Sequence, residues 1–130
     1  MAFLIMASAS LVGAQTLQTL CSFDITNGAI PNAALTLGSD GNFYGTTSEG
    51  GMTNSTYTVG MGTIFQITTN GTLTTLVSFN KTNGATPDAG LTPAGDGNFY
   101  GTTYYGGTNG GYWKSIVCPN CGGRWSRHWP

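Results

Sequence analysis

Charge is scarce in this sequence. Only 7% of its 130 residues are Asp, Glu, Lys or Arg, and the net charge is -1. That leaves no basic patch to hold a phosphate backbone and no acidic tail to recruit a cationic partner, so nucleic acid drops out as a ligand. Histidine is nearly absent as well: His128 is the single imidazole, which starves both zinc sites and Ser-His-acid triads. Long apolar runs are missing beyond the first residues. The 39% hydrophobic content is spread thinly among 21 glycines, so no large single core is encoded. Cysteine is limited to Cys21, Cys118 and Cys121. This odd number permits at most one bridge, and disulfides do not specify the fold.

What is abundant is glycine and threonine. Glycine raises the entropy lost on ordering a helix and threonine is stiff at its branched Cβ, so strands and tight turns are expected. At the N-terminus, residues 1–14 form an apolar stretch ending Val12-Gly13-Ala14, the small-residue pattern of a signal-peptide cleavage site. It is too short to cross about 30 Å of hydrocarbon, which takes roughly 20 apolar residues. The mature chain is therefore expected to carry no membrane span and to act outside the cell or at its surface.

The chain repeats itself. Residues 19–51, TLCSFDITNGAIPNAALTLGSDGNFYGTTSEGG, align without a gap with residues 75–107, TLVSFNKTNGATPDAGLTPAGDGNFYGTTYYGG. Leu20 aligns with Leu76, an offset of 56 residues, and about two-thirds of the paired positions are identical. Repeats of this size belong to solenoids, propellers and arrays, because one unit cannot bury its own apolar face.

Within one period, four short strands are predicted: Ala33 to Leu37, Phe43 to Thr47, Thr63 to Thr68 and Thr72 to Phe79. Asp40-Gly41 and Asn70-Gly71 supply hairpin turns, since both dipeptides tolerate the positive φ angles such turns need. The expected class is all-β, with antiparallel four-stranded repeat units resembling β-propeller blades in an incomplete ring; an open stack of β-repeats is the alternative. The expected divisions are a signal peptide at 1–14, a first unit at 15–74, a second, incomplete unit at 75–112 and an atypical tail at 113–130.

The run GxxPxAxLTxxxDGNFYGTTxxGG at Gly28 to Gly51 and at Gly84 to Gly107, with GTIFQIT at Gly62 to Thr68 and LTTLVSF at Leu73 to Phe79, resembles the GloVer-type tandem repeat. The resemblance covers most of residues 17–112. It implies an exported bacterial or surface protein built from tandem copies, with no enzymatic activity and no catalytic residues to carry over. The pattern breaks after Tyr112, where Trp113-Lys114-Ser115-Ile116-Val117-Cys118 stands in place of a second GTIFQIT strand.

Few residues offer chemistry. Cys118 and Cys121 have CxxC spacing, which suits a zinc ion or a redox pair, yet the remaining ligands of a structural zinc site are lacking. Asp40 and Asp96 recur in DGN turns, where one carboxylate per unit is better suited to holding the turn than to binding calcium. Glu49, Asp24 and Asp88 do not form duplicated acid and base pairs, and no cofactor is called for. Tyr44 and Tyr100, with Tyr104 and Tyr105, are the candidate ledge for sugar rings, against packing between units as the plainer role. These features point to a non-enzymatic binding or structural module, one piece of a longer array, contacting carbohydrate or another extracellular surface through loops such as Gly51 to Gly62. Self-association through unpaired edges is expected, and a fragment of a propeller-type glycan-active enzyme is the alternative.

Overall fold

The computed structural model describes residues 17–107 and the backbone of a strand at 114–119. The described residues contain strands and turns and no helix. Four strands form the first sheet: β1 (Thr36–Leu37), β2 (Phe43–Thr47), β3 (Thr63–Ile67) and β4 (Leu73–Ser78), antiparallel in the order β1-β2-β3-β4. All four lie where the alternation and turn residues predict them. At the β1–β2 turn, the Asp40 carboxylate accepts the Asn42 N–H at 3.1 Å and Gly41 takes φ +78°, so the side chain and the missing Cβ together close the hairpin. At the β3–β4 turn, Gly71 takes φ +90° while the Thr68 N–H donates to the Thr72 carbonyl at 3.0 Å.

The second sheet repeats this plan with β5 (Thr92–Pro93), β6 (Asn98–Thr103) and β7 (Lys114–Pro119), in the order β5-β6-β7. Thr36 pairs with Tyr44 in the first sheet and Thr92 with Tyr100 in the second, the same register 56 residues later. β7 takes the position that β3 holds in the first sheet, even though its sequence abandons the repeat pattern. Ladder hydrogen bonds use the backbone, so six residues pair with β6 regardless of the changed side chains. The 74/75 division expected between the units falls inside β4, because the sequence period begins one strand before the sheet ends. The segment 1–14 and the tail beyond residue 119 lie outside the described residues. Neither sheet closes on itself, and the described residues form two successive open sheets rather than a ring.

The sheets are joined through one face. Residues alternate sides along a strand, so Tyr44, Ile64 and Val77 share one face of the first sheet, Tyr44 and Thr46 being staggered by two. Against that face lie Phe79, Leu91 and Phe99 from the second unit, and these six residues form the buried core. Ile64 and Phe79 are wholly buried; each such side chain contributes about 1.5–3 kcal/mol of transfer free energy. Polar bonds cross the same seam: the Thr36 hydroxyl donates to the Leu91 carbonyl at 2.6 Å and the Thr46 hydroxyl to the Ala89 carbonyl at 3.0 Å. On the opposite face of the first sheet, Phe23 meets Phe65 edge to face at 4.9 Å. Gly45 makes room for that ring, since a Cβ there would stand 2.5 Å from Phe65 Cζ.

Candidate functional site

The long β2–β3 connection is folded back on itself by its own backbone. The Gly50 N–H donates to the Val59 carbonyl at 2.7 Å and the Gly62 N–H to the Gly50 carbonyl at 3.0 Å. Gly60 touches Gly50 so closely that a Cβ would lie 2.3 Å from the Gly50 oxygen, and its φ is +74°, a combination only glycine satisfies. At the tip, Asn54 Oδ1 accepts the N–H groups of Thr56 and Tyr57 at 2.8 and 2.9 Å, an Asx turn that presents Tyr57 and then Val59.

The second unit supplies the facing wall. Ala85 and Tyr105 exchange backbone hydrogen bonds at 2.7 and 3.0 Å, and the Gly107 N–H donates to the Lys81 carbonyl at 2.6 Å. Lys81 itself sits at φ +71°. The two walls are tied by the Thr86 N–H donating to the Met61 carbonyl at 2.9 Å. Between them lies a cleft of about 500 Å³, whose lining includes Glu49, Tyr57, Val59, Lys81 and Tyr105. It combines two phenol rings and an exposed aliphatic residue with one carboxylate and one ammonium. Such a mixture can stack on the apolar face of a ring and bond its polar rim.

The four tyrosines singled out in the sequence do not form one ledge. Tyr44 is buried against Phe99, with ring centroids 4.3 Å apart and planes tilted by 31°. Tyr100 occupies the matching place in the second sheet but is exposed. Tyr104 and Tyr105 meet edge to face at 4.4 Å, both exposed, and of the four only Tyr105 lines the cleft. Tyr57 and Val59 lie in the Gly51 to Gly62 loop expected to carry ligand contacts, whereas Glu49 and Lys81 lie outside it and are not among the expected contacts. The sequence signal for Tyr57 and Val59 is that the two copies stop matching after Gly51 and Gly107, while Glu49 and Lys81 are marked only as differing positions inside the aligned segments, opposite Tyr105 and Ile25.

Each DGN turn gathers its own tyrosine and asparagine onto the aspartate, and in the first unit Gln66 of β3 joins them, its amide donating to the Tyr44 hydroxyl at 2.8 Å and to the Asp40 carboxylate at 3.3 Å. Tyr44 and Tyr100 each donate their hydroxyl to the turn aspartate four residues earlier, both at 2.8 Å. Bonds from the Tyr44 hydroxyl and from Asn42 hold the Asp40 carboxyl below the usual carboxylate range. The Asn98 backbone N–H and the Tyr100 hydroxyl do the same for Asp96. Burial, reinforced by Asp40, pushes the Tyr44 phenol up, while Asp96 does so for Tyr100. Among the described residues, no group of three or more His, Cys, Asp or Glu side chains gathers around a point that a metal ion could occupy. Cys118 stands in β7 opposite Phe99 by register, Cys121 lies outside the described residues, and Cys21 is a half-buried free thiol.

Two like-patterned units, each an open antiparallel sheet stacked on its neighbour through one face, define an all-β tandem-repeat protein. The chain belongs to the Gloeobacter/Verrucomicrobia repeat family, whose model matches residues 8–113. Searches of curated proteins and of solved structures returned no match.

Proposed function

We propose that this chain is an exported, non-enzymatic β-repeat module, part of a longer tandem array, that binds carbohydrate in the cleft between adjacent units. The observation that carries the reading is the composition of that cleft. Tyr57 and Val59 come from one unit and Tyr105 from the next, so the site exists only where two units meet. Aromatic and aliphatic surface covers sugar-ring faces, while Glu49 and Lys81 accept and donate to ring hydroxyls or a uronate carboxylate. The scaffold is held by glycine turns and a small core, and the lining comes from loops, the usual division between framework and recognition surface. The apolar stretch at residues 1–14 supports export.

Binding to a panel of immobilised neutral and uronate-containing oligosaccharides tests the reading, with Tyr57→Ala and Tyr105→Ala as controls. Saturable retention by the native chain and at least about tenfold weaker retention by each variant is expected, the loss of about 1.4 kcal/mol that one stacking residue supplies. Retention unaffected by both changes would rule the cleft out.

A further inference from the structure

We propose that the cleft between the two units selects acidic sugars: Lys81 pairs with the carboxylate of a uronate ring while Glu49 accepts hydrogen bonds from its hydroxyls. The proposal rests on the reading of the cleft as a sugar site and adds which sugars it takes. Lys81 is the only lysine or arginine in residues 17–107, a segment that holds all five carboxylate side chains of the chain. Three of these, Asp24, Asp40 and Asp96, accept hydrogen bonds from their own turns. Of the charged side chains, only Glu49 and Lys81 line the cleft.

The fold requires neither charge. Ile25 stands in the first unit where the second has Lys81, and Tyr105 stands in the second where the first has Glu49. The backbone that carries them is the shared part. Ala29 and Glu49 exchange hydrogen bonds at 2.8 and 3.1 Å, as Ala85 and Tyr105 do. The Ile25 carbonyl accepts the Gly51 N–H at 2.8 Å, as the Lys81 carbonyl accepts that of Gly107. The Lys81 N–H also donates to the Gly84 carbonyl at 2.9 Å, which fixes its backbone at φ +71°. Both charges are thus carried on clamped backbone at positions where the repeat itself accepts an uncharged residue.

Among the described residues, neither Lys81 nor Glu49 has an opposite charge within 4.0 Å, so the two do not neutralise each other. A neutral sugar leaves the ammonium to water, and an amino sugar sets a second ammonium against it. A uronate gives Lys81 a charge-assisted bond and offers hydroxyl donors to Glu49, while Tyr57 and Tyr105 cover the ring. Asp24, Asp40, Asp88 and Asp96 are exposed and outside the lining. Screening over about 8 Å in physiological salt weakens their repulsion of an anion.

Calorimetry on the native chain tests the proposal with an oligogalacturonate, the same oligomer with its carboxylates methyl-esterified, and an oligomer of glucosamine. The acid and the ester share ring and linkage, so their difference reads the carboxylate. The acid is expected to bind at least about tenfold tighter than the ester, and added salt should narrow the gap. Lys81→Gln should erase that preference and Lys81→Arg should keep it, with circular dichroism checking the fold of each. Equal affinity for acid and ester in the native chain would overturn the selectivity and leave the sugar site standing. Tighter binding of the glucosamine oligomer, or a preference that survives Lys81→Gln, would do the same. Binding of none of the three would overturn the sugar site and this proposal together.

Discussion

The hydroxyls of Thr47 and Thr63 meet at 2.7 Å across β2 and β3, and Thr47 also reaches the Glu49 carbonyl at 2.8 Å. The counterpart of Thr47 is Thr103, which is equally buried, yet its hydroxyl has no hydrogen-bond partner among the described residues. Its register partner in β7 is Lys114, where the first unit has Thr63. The break in the repeat after Tyr112 thus leaves a physical trace inside the second sheet: a buried donor and acceptor without the hydroxyl that satisfies it in the first.

That asymmetry makes a paired prediction. Thr47→Val removes a satisfied hydroxyl and strands the Thr63 oxygen, and should destabilise the chain by about 1–2 kcal/mol. Thr103→Val removes an unsatisfied one and should be neutral or stabilising. Urea melts of the two variants beside the native chain give the comparison; equal losses would contradict it.

The seam makes a second. Phe99→Ala empties the space over Tyr44 and should cost about 3–5 kcal/mol, enough to unfold a domain of marginal stability. Tyr100→Ala, at the equivalent of Tyr44 but on an exposed face, should cost under about 1 kcal/mol in dilute solution. Thermal melts at low protein concentration separate the two.

Gly60→Ala forces a Cβ into the Gly50 carbonyl at a positive φ. It should destabilise by at least about 2 kcal/mol and spread the Tyr57–Val59 loop, weakening the cleft as well as the fold. Hydrogen exchange at Gly50 and Gly62 should quicken in this variant at temperatures where the sheets remain intact.

Acid should weaken the fold through the turn carboxylates. Asp24, Asp40 and Asp96 are all held below the ordinary carboxylate value, Asp24 chiefly by the Thr26 hydroxyl. A lowered folded pKa means that the unfolded chain binds protons more readily. The stabilisation is thus present above about pH 4 and is lost as pH falls through the folded values. Tyr44 has the opposite sign: its raised pKa gives stability that is full below about pH 10 and is lost as pH rises through the folded value. Melting temperature against pH should therefore fall at both extremes, and Asp40→Asn should flatten the acid limb.

The strands were legible because each is short, rich in β-branched and aromatic residues, and bounded by DGN or NG turns that act locally. The third strand of the second sheet was not, since Lys114–Pro119 is recruited by the free edge of β6 and not by any pattern of its own. Which aromatics are core and which are surface was also hidden. Tyr44 and Tyr100 sit in identical local sequence, and only the unit stacked on one of them distinguishes their fates. The cleft was visible only as a region where the copies diverge, because its walls come from segments that meet through the seam.

The most direct test of the account is to incubate the chain with the oligosaccharides it retains, measuring bound amount by calorimetry and glycan mass before and after. Saturable binding, abolished in Tyr105→Ala, with every glycan recovered at its original mass, is the predicted result. Release of cleaved or modified product, or no measurable binding to any neutral or uronate-containing oligosaccharide, would contradict it.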